Sequence, residues 1–216
     1  MIGYDARVIP LWVKVTYSAF MAVLVPFYLT TYGPTNFLYF CDMALFFTLA
    51  AVWTERPILA GMPAVGILLP QVFWVVDFVA GFFGVSPIGL AGYMFRDTIP
   101  LSARSLSLFH GWLPFLLFWL VSRLGYDRRS FAAWTGLGWA VMLVCYLVLP
   151  GPPPPANNRN LPVNVNYVFG LSDTEAQHWM PPTLYLGAMM GTLALAVWWP
   201  THRFLARVAR GAGERS

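Results

Sequence analysis

Charged residues are scarce in this chain. Only 10% of its 216 residues are charged, whereas 58% are hydrophobic. A water-soluble domain is usually about one quarter charged, so the composition excludes an ordinary soluble domain and favours an integral membrane protein. The few basic residues are spread along the chain without an interleaved aromatic platform. The net charge of +4 therefore does not indicate a nucleic-acid partner, and the expected surroundings are a lipid bilayer.

Motifs that would define a familiar chemistry are also missing. The sequence has no glycine-rich phosphate loop, and its histidines and cysteines show no HExxH, HxxxH or CxxC spacing. Its only two cysteines, Cys41 and Cys145, fall inside apolar runs. Their positions favour small packing side chains over a disulfide or a metal pair.

Long hydrophobic runs are what the chain does contain. About twenty apolar residues cross the ~30 Å hydrocarbon core of a bilayer as a helix. Six runs meet that length or approach it with aromatic ends, at residues 10–31, 36–54, 57–83, 105–122, 131–149 and 183–199. The sequence therefore predicts an all-α fold, a single transmembrane domain over residues 1–216. Two outer loops, 84–104 and 150–182, are predicted to be long.

The basic residues predict the orientation of this bundle. With a cytoplasmic N-terminus, ten fall inside and three outside, which is the distribution that the positive-inside rule requires. The inner ten are Arg7, Lys14, Arg56, Arg123, Arg128, Arg129, Arg203, Arg207, Arg210 and Arg215, and the outer three are Arg96, Arg104 and Arg159. Six spans with both ends in the cytoplasm are expected.

Three ionisable residues lie inside these apolar runs at a similar depth. Asp42, Asp77 and His110 each fall about 9 Å inside the predicted outer boundary, from the 1.5 Å rise per helical residue. Asn36 and Ser107 lie just above them. Ionisable groups within a bilayer are costly unless paired, so these five residues are the candidate ligand-binding site. Asp77 sits near the C-terminal end of its helix, where the dipole disfavours a negative charge, and it needs a donor or a proton.

Several interpretations of this group remain open. Asp42, Asp77 and His110 are consistent with a hydrogen-bonded clasp that fixes helix packing. Together with His178 from the outer loop, they also have the residue types that hold a divalent metal such as Zn²⁺ in a hydrolase. A proton or ion pathway is a third interpretation.

The function expected from these features is binding at an outer-leaflet polar pocket, roofed by the loop 150–182. The ligand would be a small molecule, a lipid headgroup or a metal. The alternative is a non-catalytic accessory or scaffold subunit that packs against a membrane-protein partner. The sequence does not decide whether the protein is an enzyme.

Three stretches carry a resemblance to a known family. They are YGPTNFLYFCD at 32–42, SLFH at 107–110 running on to LGYDRR at 124–129, and NVNYVFG at 164–170. Together they resemble a family of small bacterial polytopic proteins described only as membrane-associated, with no established activity. The resemblance implies a multi-pass protein of the bacterial inner membrane.

The SLFH stretch is also similar to the serine–histidine helix of the alkaline-ceramidase-like intramembrane hydrolases. The spacing here is three residues instead of four, six spans are predicted instead of seven, and the last helix lacks paired histidines. This similarity motivates a test for metal and assigns no activity.

Overall fold

The computed structural model describes residues 9–97, 99–156, 158, 161–172 and 174–213. Arg7, Arg159 and Arg215, which entered the prediction of orientation, lie outside the described residues. The described part of the chain is helical and contains no β-strand. In chain order the helices are α1 Leu11–Thr31, α2 Phe40–Thr54, α3 Pro57–Gly81, α4 Leu101–Ser107, α5 Phe109–Leu124, α6 Arg129–Val148, α7 Pro182–Thr192 and α8 Trp199–Gly213. Short turns of helix at Pro34–Leu38, Gly92–Phe95 and Val165–Tyr167, and a π-helical segment at Leu193–Trp198, complete them.

Five helical segments of the described chain are long and apolar enough to cross a membrane. They are α1, α3, α4 with α5, α6, and α7 continued into α8. Helix α2 is apolar but has 15 residues, so it measures about 22 Å. The structure confirms an all-helical membrane protein, but it gives five membrane-length helices where the sequence predicted six.

Helix α2 is short because its predicted first turn is a separate element. Gly33 has a φ of +82°, and Pro34 then begins the 3₁₀ turn Pro34–Leu38. Tyr39 is extended, with φ −61° and ψ 137°, which breaks the helical path before Phe40. Asn36 therefore lies in the turn that precedes α2 and not on α2 itself.

Two other predicted boundaries differ for physical reasons. The fourth run begins at Leu101 instead of residue 105 and is interrupted at Leu108, between α4 and α5. The last helix continues to Gly213, beyond the predicted end at residue 199. The predicted span stops where the apolar run gives way to arginines. Because arginine is a good helix former, its charge ends the hydrophobic run without ending the helix.

Helix α3 forms the centre of the bundle and packs against α2, α5 and α6. Its glycines permit this close approach, as small residues do between membrane helices. Gly66 lies directly under the buried indole of Trp134 on α6, and Gly61 lies against Ser130 at the start of α6. A side chain at either position would overlap these neighbours.

An ion pair joins α1 to the end of α2. Lys14 Nζ lies 2.7 Å from Glu55 Oε1, and Glu55 also accepts the Ile9 N–H. The Lys14 side chain is only 7% exposed. Lys14, which the sequence analysis counts among the inner basic residues, is therefore held by a carboxylate of the chain.

Replacing Gly66 by alanine is expected to lower stability, because the new Cβ would overlap the Trp134 ring. Overpacking of this kind costs about 1–3 kcal/mol. Thermal unfolding of the purified protein in detergent measures the effect. The matched control is Gly136→Ala on α6, where a Cβ meets nothing within 4 Å and better helix propensity applies. Equal melting temperatures for the two variants would contradict the close α3–α6 packing.

Candidate functional site

Asp77 is held by the loop that follows α3. Its carboxylate accepts backbone N–H groups from Ile88 at 2.9 Å, Gly89 at 3.2 Å and Ala91 at 2.7 Å. The Ser86 hydroxyl donates to both oxygens, at 3.2 and 3.1 Å. These donors meet the need expected for a carboxylate at the C-terminal end of a helix.

The loop conformation explains how so many donors face one carboxylate. Gly89 has a φ of +85°, a left-handed conformation that glycine adopts without a steric penalty. The chain reversal points three backbone N–H groups at one anion, as in other backbone anion sites. No hydrogen bond or ion pair between described residues joins Asp77 to Asp42 or to His110. Asp77 organises this loop.

Asp42 has a different environment, in the first turn of α2, where the helix dipole favours a negative charge. Its side chain is buried, with 3% of its surface exposed. Asn36 Nδ2 donates a 2.8 Å hydrogen bond to Oδ2. Oδ1 has no hydrogen-bond partner among the described residues. The buried carboxylate is therefore only half satisfied.

Two tyrosine hydroxyls lie near this carboxylate, and a serine hydroxyl connects them. Tyr28 on α1 and Tyr93 in the turn Gly92–Phe95 both lie within electrostatic range of Asp42. The Tyr28 hydroxyl and Ser107 Oγ on α4 are 3.2 Å apart, and Tyr93 also interacts with Ser107. Burial raises the pKa of Tyr93, so its phenol stays protonated and able to donate. We call Tyr28, Asn36, Asp42, Tyr93 and Ser107 the Asp42 site.

Three members of the Asp42 site, Asn36, Asp42 and Ser107, are among the residues predicted from the sequence, and the two tyrosines are not. Tyr28 lies only about 4.5 Å inside the predicted outer end of the first span, at residue 31, so the depth criterion of about 9 Å did not select it. Tyr93 belongs to a loop, and no local pattern marks it as buried.

His110 lies next to the Asp42 site, where the chain passes from α4 to α5. The Gly111 N–H bonds to Leu108 O, three residues back, at 2.9 Å. His110 Nδ1 lies 2.8 Å from the Ser107 carbonyl. Because a carbonyl only accepts, Nδ1 carries the proton and Nε2 is the free acceptor. The ring stacks on Trp74 and Phe109, with centroid distances of 5.0 and 4.0 Å.

The predicted metal ligands do not assemble into a metal site. No three His, Cys, Asp or Glu side chains of the described residues are arranged to hold a metal ion. Asp77 faces its own loop, and His178 is 85% exposed beside Glu175, with a 3.8 Å separation. His178 does not fold over Asp42, Asp77 and His110, because the outer loop turns its side chain toward solvent.

The outer loop instead covers the start of α2 through asparagines. Asn166 Oδ1 accepts the Phe40 N–H at 3.0 Å, and Asn166 Nδ2 donates to Leu38 O at 2.8 Å. Asn164 binds the loop to itself, donating to Gly170 O at 2.8 Å and accepting the Phe169 N–H at 2.8 Å. Both asparagines have positive φ, which asparagine tolerates better than most residues. These contacts place the loop next to the Asp42 site.

The described helices define the class of this chain: it is a multi-pass membrane protein, with five helices of membrane-spanning length. Comparisons with family models, with curated proteins and with solved structures find no match to it. The similarity of three sequence stretches to bacterial membrane-associated proteins stays a prediction.

Asp77→Asn is expected to loosen the loop 86–91. The substitution replaces one acceptor oxygen by an NH₂ group, which cannot accept a hydrogen bond from a backbone N–H. A buried donor without an acceptor costs about 1–3 kcal/mol. Amide hydrogen exchange at Ile88, Gly89 and Ala91 should become about tenfold faster or more. Asp97→Asn makes the same chemical change at an exposed position and is the control. Unchanged exchange in Asp77→Asn would contradict the assigned role.

Proposed function

We propose that this is an integral protein of the bacterial inner membrane, with six crossings and both ends in the cytoplasm. In this topology α2 is a short sixth crossing. Its start follows the end of α1 through the turn Pro34–Leu38, and its end reaches Lys14 in the first turn of α1 through Glu55. A helix whose two ends meet the two ends of a membrane-length helix traverses nearly the same depth. The distribution of basic residues supports the orientation.

The same proposal gives the Asp42 site a binding function. The observation that carries it is that Asp42 Oδ1, a buried carboxylate oxygen, has no hydrogen-bond partner among the described residues. Asp77, the other described acidic residue of the apolar runs, has donors for both of its oxygens. An unsatisfied buried polar group costs about 1–3 kcal/mol, and more when it is charged. A bound molecule that donates a hydrogen bond to Oδ1 removes this cost.

The chemistry of the site selects the kind of ligand. Asp42 presents an acceptor, and Tyr28, Tyr93 and Ser107 carry hydroxyls that both donate and accept. The proposed ligand is therefore a small polar group with an N–H or O–H donor, such as the ammonium of a lipid headgroup. The outer position of the site matches the headgroup side of a bilayer leaflet. No step of catalysis is assigned.

The topology is tested with reporter fusions. A reporter after residue 216 should be cytoplasmic, and one inserted within 152–160 should be external. Five crossings would leave the last helix ending on the opposite side from the N-terminus. An external reporter after residue 216, with a cytoplasmic N-terminus, would contradict the six-crossing arrangement.

Binding is tested with two phospholipids that share acyl chains and differ in one group. Phosphatidylethanolamine has N–H donors, whereas the quaternary ammonium of phosphatidylcholine has none. The wild-type protein should bind the ethanolamine lipid at least tenfold more tightly in native mass spectrometry, since a hydrogen bond to a charged group contributes about 1.5–3 kcal/mol. Asp42→Asn should remove this preference.

Asp97→Asn, which removes an exposed carboxylate from an outer loop, should keep the preference and is the matched control. Equal affinity of the wild-type protein for the two lipids would contradict headgroup binding through Asp42. A preference that persists in Asp42→Asn would place the ligand elsewhere.

A further inference from the structure

A groove between α1 and α5 lies on the side of the bundle that faces the bilayer. Its volume is about 750 Å³, within the range of sites that hold a small molecule. One wall is lined by residues at and near the start of α1, and the other by residues of α5. The first set is Pro10, Trp12, Val13, Thr16, Tyr17 and Phe20, and the second is Trp112, Leu116, Trp119 and Arg123. Trp12 is 69% exposed, so the groove opens sideways toward lipid.

The groove has one cationic end and one aromatic end. Arg123 lies at the end of α5 on the membrane side where α1 begins, with its guanidinium 5.8 Å from the centre of the Trp119 ring. At the far end Trp112 packs edge-on against Tyr17 and Phe20, with ring centres 6.0 and 5.0 Å away. These rings form the far end of the groove.

Its length corresponds to one leaflet. From Trp112 to Arg123 the helix rises about 16 Å. Half of the hydrocarbon core is about 15 Å. The groove therefore extends from the membrane surface to the middle of the bilayer, which is the depth that one acyl chain of one leaflet occupies.

The charge at the open end selects the headgroup. Arg123 is exposed and makes no ion pair with an acidic side chain among the described residues. Lys14 on the facing helix is already paired with Glu55, so Arg123 is the cation that this groove presents. A guanidinium binds phosphate oxygens through two parallel hydrogen bonds, and its stacking on tryptophan is compatible with that.

We propose that this groove is a specific site for an anionic phospholipid. One acyl chain lies along the wall formed by α1 and α5, and the phosphate contacts Arg123. The site is separate from the Asp42 site, which lies toward the other membrane surface, and it selects a different headgroup. Each proposal therefore stands or fails on its own measurement.

Native mass spectrometry tests the site by titrating the full chain with phosphatidylglycerol and phosphatidylcholine of identical acyl chains. The wild-type protein should bind one phosphatidylglycerol about tenfold more tightly than phosphatidylcholine, because both lipids offer the phosphate but only phosphatidylcholine adds a quaternary ammonium that Arg123 repels. Arg123→Gln should lose this preference. Arg56→Gln, an exposed arginine on the same side that does not line the groove, should keep it.

A second variant, Thr16→Phe, tests the acyl chain. Thr16 is exposed on the wall of the groove, and phenylalanine there should fill it and weaken binding of both lipids while Arg123 remains. Equal loss of the preference in Arg56→Gln and Arg123→Gln would overturn the proposal as general surface attraction. A dimer that Thr16→Phe dissociates, without lipid release, would also overturn it, since a second copy would then occupy the groove.

Discussion

Hydrocarbon offers no hydrogen-bond partners, so a charged group inside this bundle is costly unless another part of the chain or a ligand satisfies it. Lys14 is satisfied by Glu55, and Asp77 by four donor groups of its own loop. His110 uses the carbonyl of Ser107 at the break between α4 and α5. Asp42 has one bonded oxygen and one that meets no partner in the described part of the chain, and this difference gives the Asp42 site its proposed function.

The outer region depends on how the start of α2 is fixed. The turn Pro34–Leu38 brings Asn36 back to Asp42, and Asn166 binds the backbone on both sides of Tyr39. The outer loop is thus fastened to the same few residues that present the carboxylate. A ligand at Asp42 would lie beside this loop, so binding and loop position are physically connected.

Much of this architecture can be predicted from sequence because it follows from hydrophobicity. Membrane-length helices appear as apolar runs, and Asp42 is conspicuous inside one of them. The need of Asp77 for donors follows from its place at a helix C-terminus. The donors themselves could not be predicted, because backbone N–H groups such as those of Ile88 and Ala91 leave no residue signature. Matched depth likewise identified Asp42 and Asp77 without showing that each turns to different partners.

The lengths predicted for α2 and for the last helix were wrong for related reasons. Hydropathy measures transfer to lipid and does not report backbone conformation. It therefore joined the separate turn Pro34–Leu38 to α2, and it ended the last helix at the first arginines although the helix runs on to Gly213. Helix ends are set by single residues, such as the extended Tyr39, whose conformation depends on contacts with the distant loop.

A high-resolution structure of the protein in nanodiscs that contain phosphatidylethanolamine tests the central claim about Asp42 most directly. The expected result is density from a non-protein donor within about 3 Å of Asp42 Oδ1. A hydroxyl of Tyr28 or Tyr93 donating to Oδ1 in a closed, ligand-free cluster would contradict it, since Asp42 would then be a structural clasp.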